Sequence, residues 1–249
     1  MLEWFADLSA VSVTLLLISS FFGSFITAAL GVGGGAFLIA MMADLVPPLA
    51  LIPLHGIVQM GSNGSRAVLT RKHIDKRVVL FFALGALLAS ASAVFLLDAV
   101  GTEIIPPLVA LFILWLCWGP MPELGLGKKP AALFLGGWLT TLATMIVGAT
   151  GPLVSAWLGR SGVSRWVYTA NFSTCMTLQH LLKIAVFGFA GFAFSQWIPL
   201  LALMILMGYI GTKAGLRVLG KLPEKHFKMV FKVLLTLLSI RILFVWAYQ

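Results

Sequence analysis

The chain has 249 residues; 60% are hydrophobic, only 10% are charged, and the net charge is +9. A soluble domain carries about 25% charged residues, so this chain cannot coat its surface with charge and belongs in lipid. Its basic residues fall mostly in short connectors between apolar runs, a pattern of membrane orientation and lipid headgroup contact that argues against nucleic acid.

A membrane-spanning helix needs roughly 20 apolar residues. Apolar runs and breakers define ten segments: 8–30, 34–45, 49–69, 78–97, 104–118, 131–148, 152–160, 164–189, 196–217 and 228–247. The expected class is an all-α polytopic membrane protein. The N-terminus has no basic region before its first apolar run and carries Glu3 and Asp7 instead, so the first segment reads as a retained helix and not a cleaved leader.

The first segment ends at the stretch LGVGGGAFL, in which Gly31, Gly33 and Ala36 match the dinucleotide-binding pattern G-x-G-x-x-G/A. That motif needs a preceding strand and an acidic residue about 20 positions on. Here an apolar helix precedes it and the later position holds proline, so a nucleotide site is excluded. Gly33, Gly34 and Gly35 read as a break that opens a short second helix. About 12 residues at 1.5 Å each reach only about 18 Å, too short to span alone.

In the third segment His55, Gln59, Asn63 and Arg66 follow one another at spacings of four, four and three. With Ser62 they fall within an arc of roughly 100° on a helix. Such a stripe faces protein or water rather than lipid. Arg71, Lys72, Lys76 and Arg77 follow in a basic connector. Cys117, in the fifth segment, and Cys175, in the eighth, are lone cysteines that read as small apolar fillers.

The sixth segment ends in a second break, where Thr150 and Gly151 precede Pro152 and another short segment. The eighth repeats the polar stripe with Ser173, Gln179, His180 and Lys183. A shift of 117 positions lays Gly31 on Gly148, Ser24 on Thr141, Thr27 on Thr144, Asn63 on His180 and Arg66 on Lys183. A shift of 123 lays Gly85 on Gly208. The chain thus reads as two repeats, 1–120 and 121–249, of about five segments each, with short broken helices after the glycine-rich breaks. Five is odd, so the second repeat enters the membrane inverted, as in secondary transporters. With the N-terminus outside, the inner connectors hold Arg71, Lys72, Lys76, Arg77, Lys128, Lys129, Arg160, Arg165, Arg217, Lys221, Lys225 and Lys228. The outer ones hold Glu3, Asp7, Asp44, Asp98 and Glu103. The positive-inside rule then puts both termini outside.

Arg66 and Lys183 lie within apolar segments with no Asp or Glu beside them. A cation at mid-membrane costs roughly 2.5–3.5 kcal/mol on insertion scales. Either each snorkels to a nearby interface, or an anionic ligand is its partner. Helix starts at the two breaks would add free N–H groups for an anion. His55 and His180 read either as buried hydrogen-bonded residues or as proton carriers. No Cys, Asp or Glu joins them at metal-ligand spacing. Lys213 reads as a snorkelling residue, and Arg241 has no evident partner in the sequence.

The glycine triplet, the short helix, the proline-rich turn into a polar helix, and the later Gly148 to Pro152 and Gly208-x-x-Gly211 together resemble the sulfite exporter TauE/SafE family, also called the toluene sulfonate uptake permease family. The resemblance covers nearly the whole chain. It implies a bacterial inner-membrane transporter of sulfite, sulfoacetate or other organosulfonates. The chain departs from the commoner pattern in lacking a second full glycine triplet, since Thr150 and Pro152 stand there.

The expectation is therefore an alternating-access anion transporter, not an enzyme, without cofactor or metal. Its substrate site is formed by Gly33, Gly34, Gly35, His55, Gln59, Asn63, Arg66, Thr150, Gly151, Gln179, His180 and Lys183. Its partners are a small anionic substrate and the lipid bilayer, with a homodimer compatible. The alternatives are an intramembrane enzyme acting on a lipid-linked or phosphorylated substrate, disfavoured by the lack of a nucleophile–base motif, and a cation or metal transporter, disfavoured by the lack of membrane carboxylates.

Overall fold

A computed structural model describes residues 8–97, 101–120, 129–159, 162–219, 221 and 224–248. The sequence positions Glu3, Asp7, Asp98, Lys128 and Arg160 lie outside the described residues, as do the side chains of Lys225 and Lys228. The described chain is helical throughout: α1 Ala10–Leu30, α2 Gly34–Met42, α3 Pro48–Leu69, α4 Lys76–Leu97, α5 Ile105–Trp118, α6 Pro130–Val147, α7 Gly151–Leu158, α8 Arg165–Phe189, α9 Ile198–Arg217 and α10 Glu224–Ala247. Five helices, α1, α4, α6, α9 (with the turn before it) and α10, contain stretches long and apolar enough to cross a membrane. Helices α3 and α8 are as long, with 22 and 25 residues, but their polar stripes make them less apolar. Both stripes are buried inside the bundle.

The two breaks take the same form. Helix α1 ends at Gly31 and α6 at Gly148, both with positive φ (92° and 77°). L-residues with side chains avoid that region, and glycine enters it freely. Each break is followed by a short helix, α2 with nine residues and α7 with eight. Helix α2 turns back along α1 so closely that Gly34 rests on the Gly23 carbonyl and the Thr27 side chain.

Helix α1 packs on α9 and α4 on α6, while α3 packs on α8 and α5 on α10; α3 also meets α9, and α4 meets α8. Exchanging α1–α5 with α6–α10 leaves this set of pairs unchanged. The two closest pairs are glycine-mediated. Gly85 of α4 lies on the Phe134 carbonyl of α6, and Gly137 of α6 lies on the Phe82 carbonyl of α4. Gly211 and Gly215 of α9 rest on the Phe21 and Phe25 carbonyls of α1. In lipid, helices gain no hydrophobic force from pairing, so close backbone approach through small residues supplies the contact. At one end of the bundle, Arg241 of α10 lies 3.4 Å from Asp44, in the turn after α2, which gives Arg241 the partner its sequence context lacks.

A side chain at Gly137 would run into the Phe82 carbonyl, whereas one at Gly101 meets open space. Gly137→Val is therefore expected to destabilise the detergent-solubilised protein by about 1–3 kcal/mol, the usual cost of overpacking. Gly101→Ala serves as the neutral control. Thermal unfolding followed by tryptophan fluorescence checks both.

Candidate functional site

The two stripes and the two breaks converge. A cavity of about 20 Å³ is lined by Thr27 of α1, Gly33, Gly35 and Ala36 at the first break, His55, Gln59 and Asn63 of α3, Ala149, Gly151 and Pro152 at the second break, and Phe172, Met176 and His180 of α8. That space holds about one water molecule. The wall from α3 is polar, with His55, Gln59 and Asn63. Their counterparts 117 positions later on α8 are Phe172, Met176 and His180. The cavity therefore has one hydrogen-bonding wall and one largely apolar wall.

Of the twelve residues expected from the sequence, Gly33, Gly35, His55, Gln59, Asn63, Gly151 and His180 line the cavity. The other five, Gly34, Arg66, Thr150, Gln179 and Lys183, stand behind it. Gly34 is occupied by the α1 contact. Thr150 is fully buried, with a hydroxyl that has no hydrogen-bond partner. Gln179 donates from its amide to Thr140 and Thr141 of α6 at 2.8 and 2.9 Å.

Arg66 and Lys183 are both fully buried, 0% exposed, so neither snorkels. Arg66 donates to Asn63 Oδ1 at 3.0 Å and to Ser62 Oγ at 3.3 Å. Tyr168 of α8 lies beside it. Asn63 in turn donates to the Gln59 carbonyl and to Gln59 Oε1, at 2.8 and 3.0 Å. Arg66 thereby orients a relay of amides that ends on the cavity wall, and the Gln59 amide sits against Gly35. Lys183 Nζ donates to the Gly148 carbonyl at 2.8 Å. Thr144 donates to the same carbonyl at 2.9 Å. The ammonium thus fastens the end of α6 at the second break. Among the described residues no carboxylate pairs with either cation.

The histidines occupy the centre. Their rings meet edge to face, with centroids 5.8 Å apart. His55 Nε2 lies 3.0 Å from the Gly35 carbonyl, an acceptor only, so this nitrogen carries the proton in the neutral ring. His55 Nδ1 and both nitrogens of His180 have no partner at hydrogen-bond distance. Among the described residues no group of three or more His, Cys, Asp or Glu is placed to hold a metal ion.

Thr27, Ala36, Ala149, Pro152, Phe172 and Met176 complete the lining without having been expected in it. The 117-residue offset already carried the last two, since it maps His55 and Gln59 onto them. Their apolar character hides them from a search for polar stripes.

A helical bundle with spans of membrane length and a buried polar cavity between two broken helices defines a multi-pass membrane protein. The chain belongs to the sulfite exporter TauE/SafE family, whose family model matches residues 16–242. No curated protein and no solved structure matches the chain.

Asn63 joins Arg66 to Gln59. Replacing it with leucine leaves a buried guanidinium N–H without an acceptor, at a cost of about 1–3 kcal/mol. Asn63→Leu is expected to lower the unfolding temperature in detergent by more than Ser62→Ala, which removes only the longer 3.3 Å contact.

Proposed function

We propose that this protein carries small sulfur-containing anions, sulfite or a short organosulfonate such as sulfoacetate, across the bacterial inner membrane by alternating access. The observation that supports this reading is the cavity itself. Two helix starts and a polar wall meet there, with two fully buried cations behind them and no carboxylate among the described residues to neutralise either. The missing counter-charge is what an anionic guest supplies. Helix starts offer N–H groups that have no partner within their own helix. A tetrahedral or pyramidal oxyanion takes several such charge-assisted hydrogen bonds at once.

Two inverted repeats, with a junction near residue 120, account for the exchange symmetry of the helix pairs. Helix α1 packs parallel to α9, and α3 antiparallel to α8, as an axis in the membrane plane requires. Rocking one half against the other would enlarge the cavity first on one side and then on the other. A larger vestibule of about 570 Å³ lies where α3 begins and α8 ends, lined mainly by apolar residues such as Leu49, Ile52, Met145 and Phe192. With both termini outside, this is the outer mouth. Ile39 and Ile52 crowd the face of Gly148 between vestibule and cavity.

The apolar wall of Phe172 and Met176 favours a substrate with a short carbon body beside its anionic head. Solutes with and without such a body differ by about 10-fold or more in a fitted apolar site.

In proteoliposomes, labelled sulfoacetate is expected to exchange across the membrane. The rate is expected to fall by about tenfold or more in Gln59→Leu and Lys183→Ala, each the loss of a hydrogen bond to a charged group or of the charge itself. Size-exclusion profiles confirm that the variants remain folded. Folded variants with wild-type flux would remove these residues from the site, and a wild type without flux of any sulfur oxyanion would remove the function. Met176→Gln gives the second wall the side chain of the first, and is expected to raise the rate of sulfite relative to sulfoacetate by about tenfold; competition between the two anions measures it. Cysteines placed at Ser9 and Gly101 are expected to react with an impermeant maleimide from outside intact cells, and one at Lys72 is expected to react only after permeabilisation.

A further inference from the structure

Of the two central histidines, His55 holds the Gly35 carbonyl through Nε2, while His180 has no role in holding the fold that its surroundings reveal. His180 is fully buried, yet neither ring nitrogen has a partner. A neutral imidazole has one donor and one acceptor, and leaving both unmet in an apolar interior costs free energy at each. Both rings line the same small cavity and touch each other edge to face. Groups in that state are satisfied by what enters the cavity.

The groups facing the pair are few. Helix α3 brings His55 itself and Arg66 further along. Helix α8 brings Lys183, less than one turn from His180, and Tyr168. The stretches of α1, α2, α4, α6 and α7 packed around this level carry no titratable side chain beyond the Lys76 and Arg77 end of α4, and α9, which packs on α3, carries Tyr209, Lys213 and Arg217 at exposed positions. While the cavity is empty, the Lys183 and Arg66 charges oppose a further positive charge on either ring. An anion in the cavity reverses that balance, because its field favours a proton on the imidazole that touches it. His55 is already arranged to receive one. Its Nε2 bonds the Gly35 carbonyl at the first break, and the Gly148 carbonyl at the second break also faces the ring. A proton on Nδ1 would give the ring two N–H groups between the two breaks.

Resting on the anion-transport reading above, we propose that His55 and His180 together take up one proton with each anion, so that proton and anion cross the membrane as a pair. The proton comes from water on the side where the anion enters. It resides on an imidazole nitrogen during the crossing, and it is returned to water when the anion leaves and the Lys183 and Arg66 charges again oppose it. A monoanion then moves without net charge, and an inward proton gradient drives it inward.

Sulfonates remain ionised across the working pH range, so a proton accompanying one rides on the protein. Wild-type proteoliposomes are loaded with a pH dye and placed in a one-unit gradient, alkaline inside, with the membrane potential clamped at zero. Labelled sulfoacetate bearing one blocked carboxylate, a monoanion, is the probe. Accumulation approaching about tenfold is expected, the ratio a tenfold proton gradient sustains at one proton per anion. Addition of the anion is also expected to acidify the lumen. His180→Gln and His55→Gln keep hydrogen-bonding capacity but do not titrate. In each, gradient-driven accumulation, measured against the same variant's own counterflow rate, is expected to be lost. Wild-type flux that neither accumulates under the gradient nor moves protons overturns the coupling and leaves the transport reading standing. Accumulation retained in both glutamine variants overturns the assignment to this pair. A wild type with no sulfonate flux overturns both readings. The proton measurement on the wild type decides the question even where a variant does not fold.

Discussion

A cation buried in an apolar bundle without an acid is the constraint around which this molecule is organised. Lys183 answers it by donating to the Gly148 carbonyl, a group freed because α6 stops there. Arg66 answers it through Asn63 and Ser62. Both solutions use neutral dipoles, which solvate a charge but do not cancel it. The interior thus holds two basic side chains solvated by neutral groups, one of them, Lys183, at the second helix break. Backbone that leaves the helix at membrane depth is tolerated where protein or a cavity surrounds it. The breaks, the cations and the cavity thus depend on one another.

The scaffold holds these parts by close backbone contact. Glycines at α1–α9 and α4–α6 let carbonyls of one helix lie against the Cα of the next. Neither pair contributes a charge to the centre. They form the flanks, while α3 and α8 cross the middle carrying every polar residue of the two stripes. This division explains why α3 and α8 fall short of the hydropathy of a simple span. Their polar faces never meet lipid.

Much of this was legible in the sequence, because the membrane restricts backbone choices so strongly. Ten helices fell where apolar runs and breakers put them, and the glycines at 31 and 148 announced the ends of α1 and α6. The spacing of His55, Gln59 and Asn63 placed one wall of the cavity. What spacing does not contain is which way a long side chain turns. Arg66 and Lys183 share a face with the stripe, yet both fold back onto neighbouring polar groups, since the bundle offers acceptors there. Gln179 likewise turns to Thr140 and Thr141. The apolar wall escaped notice for the opposite reason. Phe172 and Met176 look like ordinary core until the packing sets them opposite a polar face. The partner of Arg241 lay nearly two hundred positions away, at Asp44, beyond any local pattern.

The size of the central cavity has a consequence for the cell's energy economy. Space for about one water leaves no room for a file of waters there. Protons hop rapidly only along connected hydrogen-bonded chains, and ions need a hydrated route. Where a membrane stores energy as separated charge, a protein of a transport family standing idle in it must not short-circuit it. Packing at this one level interrupts any such chain or route in the structure described.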